Sequence, residues 1–167
     1  MKKYFVIVLF ALLTISCSKT SDQEYFDQAK SFLKEKKTSE AIKAIEALIK
    51  EYPESDIAPK ALVQLAGIYQ NQMVEKLNSS ESFDRAQKYF YQVYEKFPES
   101  EEAPQSLFLS GFILANDLKN FDLATSHYKL FLSKYPSHPL AISAKEELDN
   151  MGLSPEEILK RTETAKN

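Results

Sequence analysis

One spacing occurs three times along this chain and limits what the chain can fold into. An alanine lies twelve residues before a proline that follows an aromatic residue: Ala41 with Pro53, Ala86 with Pro98, and Ala124 with Pro136. Large apolar residues stand four and seven positions after each alanine, namely Ile45 and Leu48, Phe90 and Val93, and Tyr128 and Phe131. Residues three and four apart share one face of an α-helix, and proline disfavours helix in the residue before it. The spacing therefore predicts three amphipathic helices, each ended by its proline.

A small residue precedes each of these helices, at Ala29, Gly67 and Gly111. Two helices approach closely only where the side chains at their contact are small. We therefore expect each small residue to lie on a first helix that packs against the alanine of a second helix, which makes three helical hairpins.

Apolar periodicity places the helices along the chain. It predicts helices over residues 22–36, 39–51, 57–76, 82–96, 102–117, 121–134, 139–150 and 155–164. The expected N-caps are Thr38, Ser80 or Ser82, Asn120 and Ser137, and Ser154 with Glu157 predicts a capping box. An insertion at residues 76–82 and one extra residue near 117–120 fall in turns, where added length costs least.

The spacing resembles the tetratricopeptide repeat, a helix–turn–helix unit, over residues 24–143. Under this resemblance Gly67 and Gly111 take the place of the family's first-helix glycine, and Ala29 substitutes for it in the first repeat. The resemblance implies an all-α solenoid of three hairpins with C-terminal capping helices. It also implies a protein that binds other proteins and catalyses no reaction.

The overall charge and the cysteine content exclude several classes of protein. The formal net charge is −3, and no Lys/Arg cluster is present, which argues against a nucleic-acid partner. The single cysteine, Cys17, excludes an internal disulfide framework.

The first seventeen residues have the pattern of an export signal. Two lysines precede an apolar run over residues 4–15, which is too short to span a bilayer and has the length of a signal-peptide core. The run ends in Thr14, Ile15, Ser16 and Cys17, which resembles a bacterial lipobox with Thr14 in an unusual place. We expect a signal peptide at 1–16, lipidation of Cys17, a tether at 17–23, a repeat domain at 24–150 and a C-terminal cap at 151–167. The alternatives are an ordinary secretory signal and an uncleaved anchor.

Catalytic and metal-binding patterns are absent from the sequence. It contains no HExxH, CxxC, GxGxxG or P-loop motif. His127 and His138 are the only histidines, too few for a metal site without further ligands, and a structural role is expected for both. We therefore predict no enzyme activity, no cofactor and no metal.

Four aromatic residues crowd one predicted helix: Tyr89, Phe90, Tyr91 and Tyr94. At 3.6 residues per turn they cannot all face one way. Packing between hairpins is the favoured interpretation, and a partner-binding patch is the alternative.

In tetratricopeptide proteins the first helix of each hairpin lines the concave, partner-binding surface. Counting from the three small residues, the candidates are Phe26, Lys30, Lys34, Gln64, Ile68, Asn71, Gln72, Phe108, Phe112 and Asn116. This set is aromatic and amide-rich, and it differs from the Lys/Asn/Arg clamp that some such domains use for carboxylates. An apolar or extended peptide is the expected ligand.

A lipobox followed by these repeats resembles the BamD-type lipoproteins of the outer-membrane β-barrel assembly machinery. The repeats also resemble the C-terminal domain of the periplasmic Tol-Pal-associated protein. The resemblance implies a lipid-anchored scaffold on the periplasmic face of the outer membrane, with envelope proteins as partners. A self-associating structural unit and an accessory subunit that binds a small ligand are the remaining alternatives.

Overall fold

The computed structural model describes residues 19–164. Within this range the chain forms eight α-helices and no strand. They are α1 Asp22–Lys34, α2 Thr38–Glu51, α3 Ala58–Gln70, α4 Ser79–Lys96, α5 Ala103–Asn116, α6 Phe121–Lys134, α7 Ala141–Asn150 and α8 Pro155–Thr164. The predicted signal peptide at 1–16 and the lipidation site Cys17 lie outside the described residues.

The helices pair in chain order. α1 packs on α2, α3 on α4 and α5 on α6, while α2 with α3, α4 with α5 and α6 with α7 join one hairpin to the next. Each hairpin therefore contacts its neighbours along the chain, which is the arrangement of a solenoid. The prediction of an all-α solenoid of hairpins is confirmed.

Small and large residues of the repeated spacing meet in the core. Ala29, Ala41, Ala86 and Ala124 have no exposed surface. All six large residues that follow the alanines of the second helices are also buried, namely Ile45, Leu48, Phe90, Val93, Tyr128 and Phe131. Burying a side chain of this size contributes about 1.5–3 kcal/mol, so these positions hold the hairpins together.

The tight contact of the second hairpin lies at Ala66, not at the predicted Gly67. A Cβ atom placed on Gly111 would lie 3.2 Å from the ring of Tyr128, whereas one on Gly67 would meet nothing within 4 Å. Ala66, one residue earlier, is fully buried. Alanine is small enough for this contact. Because the prediction counted from Gly67 instead of Ala66, the groove-facing positions predicted on α3 are shifted by one residue.

The turn after α3 begins earlier than predicted. The helix ends at Gln70 rather than at residue 76, because Gln72 adopts φ 53° and reverses the chain. The backbone N–H of Gln72 donates to Tyr69 O at 2.9 Å and that of Met73 to Ile68 O at 3.1 Å, which forms a Schellman motif.

The α4 N-cap is Asn78, not Ser80 or Ser82. Its side chain accepts from Glu81 N at 2.9 Å, and the Glu81 carboxylate accepts from Asn78 N at 3.1 Å. Ser82 is buried, and its hydroxyl donates to Tyr69 O at 2.7 Å. The capping box starts the helix earlier than predicted.

The other helix starts agree in part with the expectations. Asn120 caps α6, accepting from Leu123 N at 3.2 Å, and Ser154 forms the predicted capping box with Glu157. Thr38 and Ser137 are not caps: α2 follows Lys37 and α7 follows Leu140, each without a side-chain cap. α1 starts at Asp22, as predicted, because Ser21 and Glu24 form a capping box, so its first two residues overlap the segment predicted as a tether.

Candidate protein-binding face

The first helices present one shared surface. Counted from the buried small residues Ala29, Ala66 and Gly111, the positions three before, one after and five after fall on the same side of α1, α3 and α5. We call this surface the groove face; it consists of Phe26, Lys30, Lys34, Val63, Gly67, Asn71, Phe108, Phe112 and Asn116. Two equivalent hydrogen bonds support the alignment: Asn71 Nδ2 donates to Gly67 O at 2.8 Å, and Asn116 Nδ2 donates to Phe112 O at 3.2 Å.

The α1 part of the groove face carries positive charge. Lys30 Nζ lies 2.7 Å from Asp27 Oδ1 and 4.9 Å from the centre of the half-buried Phe26 ring. The hydrogen bond from Lys30 lowers the pKa of Asp27, so the Asp27 carboxylate stays ionised at neutral pH. Lys34 is exposed and pairs with no carboxylate among residues 19–164.

The α3 part is the least crowded. Gly67 has open space where a side chain would stand, and Asn71 is exposed beside it. The predicted Gln64 is half-buried, and the predicted Gln72 lies in the turn, where it accepts from Ser79 Oγ at 2.7 Å.

Ile68, predicted to face the groove, is 1% exposed and belongs to the core instead. The physical reason is the one-residue shift between Gly67 and Ala66. The residue that replaces Ile68 on the groove face is Gly67 itself, and Val63 replaces Gln64.

The α5 part is aromatic. Phe112 is 36% exposed, and its ring stacks at 6.4 Å on Phe108. Phe108, also predicted to face a partner, is only 9% exposed and packs against Tyr128 and Phe131 at 5.6 and 6.0 Å. Phe108 therefore packs beneath the Phe112 ring and offers little exposed surface to a partner.

An open cavity of about 540 Å³ continues this surface beyond α5. Asn116 lines it from α5, Glu146, Glu147 and Asn150 from α7, and Glu157 from α8, with Lys119 as the lysine in the lining. The sequence predicted α7 as a helix but placed no residue of it on the binding face. Its Ala141 and Ala144 stand where α3 has Ala58 and Ala61, and this repeated pair could have extended the alignment.

A polar cluster lies in the interior, between the second and third hairpins. Ser110 Oγ lies 2.9 Å from Gln87 O and 3.1 Å from His127 Nδ1, and the His127 ring stacks on Tyr91 at 4.5 Å. Burial lowers the pKa of His127 to about 4, so the ring is neutral at pH 7. His138 packs edge-on against Phe131 and accepts from Leu140 N at 3.2 Å. Both histidines have structural contacts.

The crowded tyrosines of α4 are used in packing. Tyr89 stacks on Tyr69 of α3 at 5.5 Å, and Tyr94 lies edge-on to Tyr135 at the end of α6 at 6.2 Å. With Tyr91 on His127, two of the three tyrosines join neighbouring hairpins. These contacts favour inter-hairpin packing over a partner-binding patch.

Among the side chains that the structure describes, no group of three or more His, Cys, Asp or Glu is placed to hold a metal ion. None of the helices described is long and apolar enough to cross a membrane.

Comparison with known proteins identifies the first hairpin. Residues 25–55 match the family model described as a tetratricopeptide repeat, which covers most of α1, all of α2 and the turn that follows. No curated protein matches the chain. Such repeats stack into solenoids with extended binding surfaces for other proteins. The chain therefore carries a tetratricopeptide repeat within a helical solenoid, a fold typical of protein-interaction scaffolds.

Proposed function

We propose that this protein is a lipid-anchored scaffold that binds envelope proteins of a bacterium through its groove face. The observation that carries the proposal is the groove face itself. It combines an exposed aromatic ring, exposed amides and a lysine without an ion pair on helices whose opposite sides are buried. Aromatic side chains are enriched at protein–protein interfaces.

The anchor is proposed from the first seventeen residues. The apolar run that ends at Cys17 supports export and acylation, and more than one acyl chain gives stable membrane attachment. Ser18, rather than an aspartate, supports the outer membrane by analogy with enterobacterial lipoproteins. Since α1 begins five residues after Cys17, the first hairpin would stay within about 18 Å of the lipid surface.

The assembly of outer-membrane β-barrel proteins is the proposed process. The support is the resemblance of a lipobox followed by repeats to the BamD-type lipoproteins. A coordinating role of the Tol-Pal kind would use the same face with other partners, and partner identity separates the two.

The test is in-cell crosslinking of the full-length chain with a C-terminal affinity tag, followed by membrane fractionation and mass spectrometry. We expect the chain in the outer-membrane fraction, a diacylated Cys17, and crosslinks to subunits of the barrel-assembly machinery. Cys17→Ala should abolish the acylation of the chain. A cytosolic chain, or a membrane chain without an envelope partner, would refute the proposal.

Self-association is measured in the same cells with two differently tagged copies. If each copy recovers mainly the other, the protein is an oligomerising structural unit rather than a scaffold for other proteins.

A further inference from the structure

The groove face changes charge from one end to the other. At the α1 end, Lys30 and Lys34 lie on the surface, and only Lys30 is paired, with Asp27. The middle positions on α3 and α5 carry no charge: Val63, Gly67, Asn71, Phe108, Phe112 and Asn116. Beyond α5, the cavity is lined by Glu146, Glu147 and Glu157 against Lys119. A bound segment would therefore meet a positive end, a neutral centre and a negative end.

The neutral centre has an open position at Gly67, where the helix carries no side chain. Nothing lies within 4 Å of the place where a Gly67 side chain would stand, and Phe112 is exposed at the equivalent position of the next hairpin. An apolar side chain of a partner placed over Gly67 could approach the α3 backbone directly and would lose water on that side. A buried side chain of this kind, near the centre of an interface, contributes most of the binding energy in many complexes.

The exposed amides favour an extended ligand over a helical one. Asn71 and Asn116 each donate to a carbonyl of their own helix, which fixes their side chains. Their Oδ1 atoms accept no hydrogen bond from residues 19–164 and stand ready to accept from a partner. An extended backbone has free N–H groups to offer, whereas a helix uses its own internally.

Resting on the proposed function, we propose that the groove face binds an extended peptide segment of mixed charge. Its acidic end lies on α1, a bulky apolar side chain lies over Gly67, and its basic end lies on α7 and α8. An extended chain covers at most about 3.3–3.6 Å per residue, so a segment of ten residues reaches about 33–36 Å.

A synthetic probe tests the polarity. The probe is a ten-residue peptide with two aspartates at one end, a phenylalanine in the middle and two lysines at the other end, separated by glycine and serine. A photoreactive group is attached to the acidic end in one version and to the basic end in another. Each is irradiated with the full-length protein in detergent, and the attachment sites are mapped by mass spectrometry.

We expect the acidic-end label on α1 and the basic-end label on α7 or α8. A probe with serines in place of its charges should bind at least about tenfold more weakly, a difference of about 1.4 kcal/mol. Labels spread evenly over both ends, or equal binding of the uncharged probe, would overturn the inferred polarity.

Two substitutions with matched controls test the positions. Gly67→Phe should occupy the open position on α3 and weaken probe binding about tenfold or more, while its melting temperature stays near that of the original chain. Lys43→Phe adds the same side chain on the exposed side of α2 and should leave binding within about twofold. Lys34→Glu should weaken binding severalfold and move the acidic-end label away from α1, whereas Lys43→Glu should do neither. Unchanged binding by both Gly67→Phe and Lys34→Glu would contradict the proposal.

The outcomes separate this inference from the proposed function. Probe labels on the groove face without end preference would remove the polarity and leave the scaffold role intact. In-cell partner crosslinks confined to α2, α4 and α6 would remove the groove face as the binding surface, and with it both claims.

Discussion

Two glycines that look alike in the sequence have opposite environments in the fold. Gly111 lies against the Tyr128 ring and His127, whereas Gly67 faces open space. Both are helical, and neither has a positive φ. The effect on stability of adding a side chain at either position therefore depends on the neighbouring atoms and not on backbone conformation.

Gly67→Ala should raise the free energy of unfolding by about 1 kcal/mol, because alanine is the better helix former and the added methyl group meets nothing. Gly111→Ala should lower it by about 1–3 kcal/mol, because its Cβ would lie 3.2 Å from the Tyr128 ring. Urea denaturation of both variants measures the difference. Equal effects at the two sites would contradict the alignment on Ala66.

His127 should make the fold sensitive to acid. Its folded pKa, about 4, lies below its ordinary value of 6.5, because burial disfavours the charged ring. As the pH falls from about 6.5 towards 4, the unfolded chain binds a proton that the folded chain does not. The free energy of unfolding should therefore fall over this window, by a total on the order of 3 kcal/mol.

The control for this prediction is His127→Gln, which can still bond Ser110 but does not titrate. Carboxylates titrate in the same range, so the measured quantity is the difference in pH dependence between the two chains. If the free energy of unfolding of the two chains falls in parallel between pH 6.5 and 4, His127 is not the source of the acid sensitivity.

At the scale of the helices, the turns inside the three hairpins share one strained backbone conformation. Lys36, Gln72 and Lys119 each have a positive φ, between 53° and 59°. A side chain in this region is unfavourable, and glycine is the residue that normally ends a helix there. The chain accepts this strain three times, since each turn must reverse direction within a few residues.

Lys36→Gly should raise the free energy of unfolding by about 0.5–1 kcal/mol, because glycine adopts the observed φ of 59° without a steric penalty. Lys43→Gly, in the middle of α2, should lower it by about 1 kcal/mol. Thermal melts followed by circular dichroism compare the two. A loss of stability in both variants would argue against the left-handed turn.

The start of α4 offers a second test at this scale. Asn78→Ala removes the acceptor for Glu81 N and should cost about 1 kcal/mol of stability. Ser80→Ala, at the exposed position that the sequence suggested as a cap, should change stability by less than about 0.5 kcal/mol. A larger loss of stability in Ser80→Ala than in Asn78→Ala would place the start of α4 at the N-cap predicted from the sequence.

At the scale of the whole molecule, α7 ends the stack. Aligned on Ala61 and Ala144, α7 carries Lys145, Glu146 and Asp149 where α3 carries Leu62, Val63 and Ala66. The inner side of α7 still packs on α6 through the buried Ala144. A helix that is apolar on one side and charged on the other closes a solenoid against further stacking.

Ala144→Glu should lower the free energy of unfolding by more than about 3 kcal/mol, because it places an unpaired charge where no surface is exposed. Ile142→Glu, on the same helix, should change it by less than about 0.5 kcal/mol, because Ile142 is 73% exposed. Denaturation curves measure both. A mild effect at Ala144 would mean that α7 does not cover the core.

The sequence by itself determined the helices, the hairpins and most of the core. A period of 3.6 residues and the twelve-residue step from alanine to proline are local properties of the chain, readable without coordinates. Only the tertiary structure decided which neighbour each helix side meets. It moved the close contact from Gly67 to Ala66, buried Ile68 and Phe108, and joined α7 to the groove face. The physical reason is that a one-residue shift rotates a helix side by about 100°, and packing partners distant in sequence fix that rotation.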